Sequence, residues 1–280
     1  MSRVLVTTDC LPAAVARSWL LVPAGRDDDV AAAEASAADA VVLDLEDGVA
    51  DRNRAAARCT VARRLQMQQL VWVRISDVTT ADWALDLDML ATAPPGAVAG
   101  VVLAKAETGE HIEVTAARLP RDVPVVALIE TAIGLANVRE VARSPATLRL
   151  AFGSGDFCRD TGISADPLSL AYPRSQLVIA SRVERIAPPI DGPTTTTDDE
   201  VLRSATATGR AAGMTGKLCL HPDQTAQINA ALSPSTDEVA WAHAVITRLG
   251  EDGAHVQQSS DRPMLKRALH ILEQALTFRR

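Results

Sequence analysis

The amino-acid sequence predicts an α/β protein, a (β/α)8 TIM barrel with a C-terminal helical extension. Its 280 residues are close to the roughly 250 that are typical of one such barrel. Short apolar runs recur along the chain, and each is followed by a segment long enough for a crossover helix, which is the pattern of parallel βα units. The runs are continuously hydrophobic, as expected of strands buried on both faces. We place the barrel in residues 1–235 and the extension in residues 236–280.

Eight apolar runs are candidate strands, and this number favours a closed barrel over an open doubly wound sheet. The seventh run contains Pro188 and Pro189, which cannot both donate to a central ladder. The run Leu177–Ala180 before it is compatible with a strand or a helix, and we assign it to a helix. In order, the eight runs are Trp19–Val22, Ala40–Leu45, Leu70–Ile75, Gly100–Ala104, Val125–Ile129, Leu148–Phe152, Ile186–Ile190 and Lys217–Leu220.

The segment after the eighth strand predicts two more helices. Asp237–Leu249 has helical spacing, residues 250–260 are polar and loop-like, and Pro263–Phe278 is again helical. Ser260 or Asp261 is positioned to cap the last helix.

The charge balance and the cysteine content exclude several classes of protein. The net charge is −7 and the chain has no basic run, so a nucleic-acid backbone would be repelled. Cys10, Cys59, Cys158 and Cys219 lie far apart, which is typical of reduced thiols in a cytosolic protein. The first sixteen residues do not resemble an export signal, and no stretch approaches membrane-spanning length. We therefore expect a cytoplasmic protein without nucleic-acid or membrane partners.

Reactive side chains stand at the end of nearly every predicted strand, which is where barrel enzymes carry their catalytic groups. Carboxylates gathered at one mouth repel one another unless a cation lies among them, and Mg²⁺ accepts such oxygen ligands together with water. Glu130 and Asp156 follow adjacent strands and are the candidate metal pair. In chain order, the reactive strand ends carry Asp44-Leu45-Glu46-Asp47-Gly48, Arg74, Lys105, Glu130-Thr131, Gly153-Ser154-Gly155-Asp156, Asp191-Gly192 and His221-Pro222.

Each of these residues also has an ordinary structural interpretation. A strand-end glutamate such as Glu130 is often a surface or salt-bridged residue, and Asp44 could instead cap a turn or pair with Arg74. Lys105 could be a solvated charge, and His221 could be a packed turn residue. The occurrence of all these groups at one set of strand ends favours a functional site.

Sequence blocks in a fixed order cover nearly the whole chain and resemble the citrate lyase β-subunit family, within the HpcH/HpaI aldolase and malyl-CoA lyase superfamily. The Asp-Leu-Glu-Asp and Ile-Glu-Thr-Ala blocks together are the specific part of the resemblance. The blocks are Arg17-Ser18 with Val22-Pro23, Ala37–Val49 (AADAVVLDLEDGV), Val73-Arg74, Lys105 with Glu107, Ile129–Gly134 (IETAIG), Ala151–Phe157 (AFGSGDF), Pro188–Gly192 (PPIDG) and Gly216–Gln224 (GKLCLHPDQ).

The resemblance implies a TIM barrel that assembles as a homotrimer or a multiple of one, with Mg²⁺, or Mn²⁺ in its place, on Glu130 and Asp156. Arg74 would hold the carboxylate of an oxo acid through its guanidinium fork. The extension would cover a neighbouring subunit's site and supply Asp261 as the acid/base, with Glu46 or Asp47 as the alternative.

Four positions depart from the family pattern and line the implied pocket. Val-Pro-Gly is Val-Pro-Ala-Gly here, Ser76 stands where Asn often follows the arginine, Ala104 replaces a proline, and Gly155 replaces a glutamate. The metal pair survives these changes, whereas the identity of the substrate is left open.

The sequence therefore predicts a Mg²⁺-dependent carbon–carbon lyase that acts on a 3-hydroxyacyl thioester, with an oxo acid and an acyl-CoA as partners. Arg17, Arg26 and Lys105 are candidates to meet the phosphates of coenzyme A near the mouth, although no glycine-rich phosphate loop marks the place. One alternative is a class II aldolase that cleaves a free 2-oxo-4-hydroxy acid. The other is a non-catalytic barrel retained as a regulatory or partner-binding subunit.

Overall fold

The computed structural model describes residues 11–278, which fall into two compact units. The larger unit is Pro12–Asn229, and the C-terminal unit begins at Ala230. Within the described residues, no helix is both long enough and apolar enough to cross a membrane. Cys59, Cys158 and Cys219 are free thiols, and Cys10 lies outside the described residues.

The larger unit is a closed barrel of eight parallel strands in sequence order. The ring closes between the first and last strands, where Trp19 is in register with Leu218. Each predicted apolar run is a strand, with ends that differ by no more than two residues, so the predicted barrel is confirmed. The strands are β1 (Ser18–Pro23), β2 (Ala40–Asp44), β3 (Val71–Ile75), β4 (Val98–Leu103), β5 (Val125–Ile129), β6 (Thr147–Phe152), β7 (Ala187–Asp191) and β8 (Gly216–Cys219).

Helices follow the strands and make up the outer layer of the barrel unit. A single 3₁₀ turn, Asp51–Asn53, precedes the second of them. The helices are α1 (Asp27–Glu34), α2 (Arg54–Gln66), α3 (Ala81–Ala91), α4 (Gly109–Arg118), α5 (Ala132–Ala136), α6 (Val138–Arg143), α7 (Ser154–Thr161), α8 (Ala171–Glu184), α9 (Asp199–Ala212) and α10 (Gln224–Leu232).

Side-chain caps fix where several helices begin, just after the strand ends. The hydroxyl of Thr131 accepts from the backbone N–H of Gly134 at the start of α5, and Asp198 accepts from two N–H groups at the start of α9. Such caps satisfy donors that a helix N-terminus leaves unpaired. They hold the loops between strands and helices in defined positions at the carboxyl ends of the strands.

The seventh strand accommodates its prolines through their carbonyl groups. Arg149 Nε donates to the Pro188 carbonyl at 2.7 Å, and Thr215 N donates to the Pro189 carbonyl at 3.1 Å. The β6–β7 register also shifts beside Arg149, so the missing proline N–H groups interrupt no regular ladder. The run Leu177–Ala180 lies within α8, as predicted.

Tryptophans fill the amino-terminal part of the barrel interior. Trp19 and Trp72 meet edge to face with ring centroids 4.8 Å apart. A Cβ atom at Gly100 would lie 2.2 Å from the Trp72 ring, so only glycine permits this packing in β4. The interior at this level is solid core, which leaves the opposite end of the barrel for a cavity.

Arg149, on β6, is fully buried at the same end of the barrel. Its guanidinium donates to the carbonyls of Pro188, Ala13, Ala16 and Pro189 and to the Thr215 hydroxyl, at 2.7 to 3.5 Å. A guanidinium carries five N–H donors, and these five acceptors use all of them. Arg149 is thus bound mainly by main-chain carbonyl groups at the amino-terminal end of the barrel, which is called the barrel floor below.

After the last residues of α10, the C-terminal unit consists of two helices, α11 (Thr236–Leu249) and α12 (Asp261–Thr277). They pack through a core of their own that includes Val245, Leu249, Leu265 and Ile271. The loop predicted over residues 250–260 is confirmed. Ser260 occupies the N-cap position of α12 but makes no side-chain cap bond. A capping box, in contrast, fixes the start of α11.

Arg149→Met should destabilise the barrel, because it leaves several buried carbonyls without donors. We expect the free energy of unfolding to fall by about 3 kcal/mol, measured by urea denaturation with circular dichroism. Arg52 is exposed, and Arg52→Met is the control, with an expected change near zero. Equal stability of the two variants would contradict the role given to Arg149.

Candidate active site

A cavity of about 350 Å³ opens at the carboxyl ends of the strands. This is the end at which barrels of this type carry their reactive groups. Most of the polar groups predicted for the site meet here, together with an apolar wall. The lining residues are Leu21, Pro23, Asp44, Asp47, Gly48, Arg74, Leu128, Glu130, Gly153, Gly155, Asp156, Pro193, Leu218 and Leu220.

Glu130 follows β5 and lines the cavity as a buried acid, with 2% of its surface exposed. Its Oε1 accepts from the backbone N–H of Lys105 at 2.8 Å. A Cβ at Gly153 would lie 2.4 Å from Oε2, so a glycine is required on that side. Burial raises the pKa of Glu130 to about 8, aided by the charges of Glu46 and Asp156 and opposed by Arg74.

Lys105 adopts an unusual backbone conformation beside Glu130. Its φ is +45°, in the left-handed region that residues other than glycine seldom occupy. This conformation accompanies the hydrogen bond from its N–H to the Glu130 carboxylate. The side chain reaches Glu46 at 3.6 Å and Asp77 at 3.8 Å. Lys105 therefore contacts acidic residues in two ways: its main-chain N–H binds Glu130, and its ammonium group pairs with Glu46 and Asp77.

Asp156 lies in the first turn of α7, which begins directly after β6. It lines the same cavity as Glu130, and its charge is one of the causes that raise the Glu130 pKa. Arg159 forms an ion pair with Asp156 at 2.7 Å, from a side chain that is 71% exposed. The two predicted metal ligands thus lie on adjacent strand ends and line one cavity.

Arg74, in β3, binds Asp44 through its guanidinium fork. Nε donates to Asp44 Oδ1 at 2.7 Å and Nη2 donates to Oδ2 at 2.6 Å, while Nη1 lies 3.2 Å from Glu46 Oε2. Asp44 is also bound by the N–H groups of Glu46 and Gly48. The structural alternative for Asp44, pairing with Arg74, is therefore confirmed. Two of the five guanidinium N–H groups donate to Asp44, and Nη1 adds an ion-pair contact to Glu46, so donors remain for a ligand.

Glu46 and Asp47 lie at the end of the second βα unit in different environments. Glu46 is buried, and burial raises its pKa against the opposing effect of Arg74. Asp47 is exposed and lines the cavity, and its N–H donates to Glu46 Oε2 at 3.0 Å. Asp47 is thus at the mouth, where the sequence predicts it, whereas Glu46 is not among the lining residues and lies 3.2 Å from Arg74.

The expectation that Arg17 lies near the mouth is wrong. Arg17 immediately precedes β1 and so stands at the amino-terminal end of the strands. Its guanidinium makes two hydrogen bonds to Asp39, at 2.8 and 2.9 Å. The sequence block that contains Arg17 resembles the family pattern. Because Arg17 precedes β1, however, the residue lies at the opposite end of the barrel from Glu130. Arg26 follows β1 and pairs with Asp29 from an exposed position.

Asp261 lies in the C-terminal unit as the first residue of α12, and it is buried there. Its Oδ2 accepts from the N–H groups of Gln257 and Gln258 at 3.0 and 2.9 Å, and Oδ1 lies 3.3 Å from Arg248. The hydrogen bonds from Gln257 and Gln258 lower the pKa of Asp261. The carboxylate therefore closes the loop before α12, and its acid/base role stays a prediction.

The donor set of the cavity fits a hard divalent cation held by two carboxylates. Oxygen ligands with several retained waters are what Mg²⁺ prefers. The glycine at 153, against which no side chain would fit, leaves the Glu130 carboxylate open toward the cavity. Among residues 11–278, no three His, Cys, Asp or Glu side chains group closely enough to hold a metal ion by themselves. Water and substrate oxygens would thus have to complete the coordination.

Comparison with known proteins identifies the family. The sequence profile of HpcH/HpaI aldolase/citrate lyase matches residues 17–222, and that of the HpcH/HpaI aldolase C-terminal domain matches residues 237–279. The chain belongs to the HpcH/HpaI aldolase/citrate lyase family. The resemblance seen in the sequence blocks is thereby confirmed.

Two relatives are similar to this chain over most of their length. A citrate lyase subunit beta-like protein of Deinococcus radiodurans is 32% identical, covering 93% of this chain and 98% of the relative. A (3S)-malyl-CoA thioesterase of Cereibacter sphaeroides is 30% identical, covering 86% of this chain and 85% of the relative. The family thus includes proteins that process esters of coenzyme A.

The fold is that of solved family members. The crystal structure of the protein CitE from Mycobacterium tuberculosis, in complex with magnesium, acetoacetate and coenzyme A, matches with a TM-score of 0.79 at 29% identity. The match covers 94% of this chain and 99% of CitE. The TIM barrel is therefore the fold of the family as well as of this chain.

Some residues of the site gave no signal in the sequence. Arg159 lies one helical turn after Asp156, an ordinary spacing for a surface ion pair, so its proximity to the metal pair becomes visible only in the fold. The backbone N–H of Lys105 has no sequence signature, because a positive φ at a lysine is not predictable from residue type. Gly153 belongs to the strand-end block Gly153-Ser154-Gly155-Asp156 named from the sequence, but its close approach to Glu130 becomes visible only in the fold.

Glu130→Gln should stabilise the metal-free protein at alkaline pH. The folded state retains the Glu130 proton up to about pH 8, whereas the unfolded chain releases it near 4.5. The stability contributed by this group is therefore present at low pH and is lost as the pH rises between these two values. We expect the free energy of unfolding of Glu130→Gln to exceed that of wild type by about 4 kcal/mol at pH 9, and we expect this difference to vanish near pH 4.

The measurement is thermal and urea unfolding in the presence of a chelator. The exposed Glu110 provides the control, since Glu110→Gln should follow the wild-type pH profile throughout. If Glu130→Gln also follows that profile, the carboxyl group of Glu130 is not destabilised by burial.

Proposed function

We propose that this chain is a Mg²⁺-dependent carbon–carbon lyase that reversibly cleaves a 3-hydroxyacyl-CoA, or a similar thioester, to an oxo acid and an acyl-CoA. The observation that carries the proposal is the presence of Glu130, Asp156 and Arg74 in the lining of one cavity at the carboxyl ends of the strands. The magnesium and coenzyme A in the similar CitE structure support the choice of cofactor and substrate class.

Glu130 and Asp156 are the residues that would hold the cation, with Mg²⁺ as the proposed ion and Mn²⁺ as a substitute. When bound, the ion supplies Lewis-acid polarisation of an oxygen on the oxo-acid half. The lining of the cavity contains four carboxylates, of Asp44, Asp47, Glu130 and Asp156, and one guanidinium. This excess of negative charge would repel an anionic substrate and favours a cation in the cavity.

Arg74 would orient the oxo-acid carboxylate with the N–H groups that Asp44 and Glu46 leave free. Because Asp44 holds the guanidinium by two short hydrogen bonds, Arg74 is fixed in direction before the substrate binds. A guanidinium held in this way loses little conformational freedom on binding a carboxylate. Asp44 is thus proposed to position Arg74, and Arg74 to bind substrate.

Cleavage also needs a base for the substrate hydroxyl. As the hydroxyl proton moves to the base, the carbon–carbon bond breaks, its electron pair forms the enolate of the thioester half, and the hydroxyl carbon becomes the carbonyl of the oxo acid. Protonation of the enolate carbon then gives the acyl-CoA. We propose Asp261, supplied by a neighbouring subunit of a homotrimer, as this base, with Glu46 or Asp47 as the alternative. Lys105, at 3.6 Å from Glu46, is the candidate to meet a coenzyme A phosphate.

Two related reactions are distinguishable by their products. A class II aldolase would release pyruvate or a similar oxo acid from a free 2-oxo-4-hydroxy acid. Hydrolysis is the second candidate, favoured by the similarity to the (3S)-malyl-CoA thioesterase, and it would release free coenzyme A without breaking a carbon–carbon bond. A screen of 3-hydroxyacyl-CoA esters and of free 2-oxo-4-hydroxy acids, with oxo acid and free thiol measured separately, assigns the activity to one of the three classes. Absence of all three, with and without Mg²⁺, would favour a non-catalytic paralogue.

Glu130→Gln and Asp156→Asn should each lower Mg²⁺-dependent turnover at least about a hundredfold, because each removes a charged ligand from a two-carboxylate site. The measurement is kcat as a function of Mg²⁺ concentration, together with direct titration of Mg²⁺ binding. Glu110→Gln, on the surface, should be indistinguishable from wild type. Full turnover in either cavity variant would remove that residue from the metal site.

Asp261→Asn should lower kcat about a hundredfold with unchanged Mg²⁺ affinity, because asparagine retains an acceptor for the Gln257 and Gln258 N–H groups but cannot take a proton. Arg248→Met is the control, since it removes the partner of Asp261 and leaves the carboxylate intact. If Asp261→Asn keeps the wild-type rate, Asp261 is not the base, and the variants Glu46→Gln and Asp47→Asn test the two alternative residues.

A further inference from the structure

Gln224 is the first residue of α10, and its side chain is buried, with 1% exposure. Its Oε1 accepts from the N–H groups of Leu220 and His221 at 2.9 and 3.3 Å. Its Nε2 donates to the carbonyls of Thr194 and Thr196, both at 2.8 Å. A primary amide offers two acceptor lone pairs and two N–H donors, so main-chain groups use its whole capacity.

The identity of these partners specifies glutamine at this position. Two partners are N–H donors and two are carbonyl acceptors, so the amide has one orientation only. Glutamate would retain the two acceptor contacts and lose both donations, and methionine of similar length would lose all four bonds. Buried main-chain groups left without partners are costly, so no other side chain of this size fulfils the same function here.

The two loops that Gln224 joins form one wall of the cavity. The β7–α9 loop contributes Pro193, and the loop between β8 and α10 contributes Leu220. Lys217 Nζ donates to the Gly192 carbonyl at 2.6 Å and fixes the start of the first loop. Neither loop contains a helix or strand between these points, so the Gln224 amide ties both segments together beside the cavity.

We propose that Gln224 is a positioning residue that fixes Pro193 and Leu220 as the wall against which the acyl half of the thioester binds. The identity of this ligand rests on the proposed function; the fixing of the loops does not. Gln224 is not among the residues that line the cavity, so it acts on a ligand through the two loops.

The distribution of polarity in the cavity supports this assignment of the two substrate halves. The charged groups that would bind the oxo acid come from β3, β5 and the start of α7, namely Arg74, Glu130 and Asp156. The part of the lining that comes from β7, β8 and their loops is apolar, with Pro193, Leu218 and Leu220. An acyl chain is stabilised by apolar surface, whereas a carboxylate is not. The acyl half therefore belongs on the wall that Gln224 holds.

The test compares Gln224→Met, Gln224→Glu and Gln227→Met with wild type. Gln227 lies one turn further along α10, and its Nε2 donates to the Asp199 carbonyl at the start of α9, so it is a matched glutamine that holds neither loop. For Gln224→Met we expect KM for the thioester to rise about tenfold with kcat within about threefold, and Mg²⁺ affinity to stay unchanged. Gln227→Met should retain the wild-type KM.

Amide hydrogen exchange tests the loops without any assay of activity. We expect Gln224→Met to lose protection in residues 192–198 and 220–223, and Gln224→Glu to lose it chiefly in 192–198, where its two donations are missing. Gln227→Met should keep wild-type exchange in both segments. Wild-type exchange in Gln224→Met would overturn the positioning role, and changed exchange with an unchanged KM would overturn the role of the wall in binding the acyl half.

The positioning role of Gln224 and the proposed lyase activity can be disproved independently of each other. If wild type cleaves no thioester, the proposed function fails while the exchange experiment still decides whether Gln224 fixes the loops. If Gln224→Met does not fold, Gln224→Glu, which keeps the length of the side chain and two of its four bonds, decides by the same two measurements.

Discussion

The buried carboxylate of Glu130 is the constraint on which the mouth of the barrel depends. An acid with 2% exposure is stable in its charged form only if donors and cations surround it. The chain supplies the N–H of Lys105 at the cost of an unusual backbone conformation, and the charge of Arg74 in the neighbouring part of the cavity. These groups do not suffice, because the pKa of Glu130 is still raised to about 8. The site therefore has a deficit of positive charge, and a divalent cation would remove it.

This deficit explains the arrangement of the other acids. Asp44 binds only one edge of the Arg74 guanidinium. Glu46 contacts Arg74 through another guanidinium nitrogen and also pairs with Lys105. The positive groups are thus each divided between several carboxylates and can still interact with a ligand. A protein selected only for stability would replace Glu130 by a neutral residue, since burying an acid in this environment lowers stability near neutral pH. Its presence in the cavity is better explained by binding of a cation than by folding.

The fold was predictable because the barrel repeats one signal. Each strand is a continuous apolar run, so even β7, with Pro188 and Pro189, could be recognised from its neighbours and from the number of units. The pair of Glu130 and Asp156 was predictable for a similar reason, since ends of adjacent parallel strands must meet. Arg17 was misplaced because a matched sequence block does not tell which end of a strand a residue occupies, whereas its position before β1 does. The four bonds of Gln224 were invisible, because they join loops whose paths have no periodic pattern.

The two buried arginines on β3 and β6 illustrate how partner type separates structure from function in one barrel. Arg149 meets carbonyl and hydroxyl oxygens with all five of its N–H groups, so it has no donor left for a ligand and can only hold the floor. Arg74 meets carboxylates, whose paired oxygens bind one edge of the guanidinium and fix its direction while other N–H groups stay available. The same side chain is therefore a structural residue where neutral acceptors saturate it and a binding residue where a carboxylate holds it from one side. This difference, rather than burial, which is similar for the two, is the reason to assign carboxylate binding to Arg74 and not to Arg149.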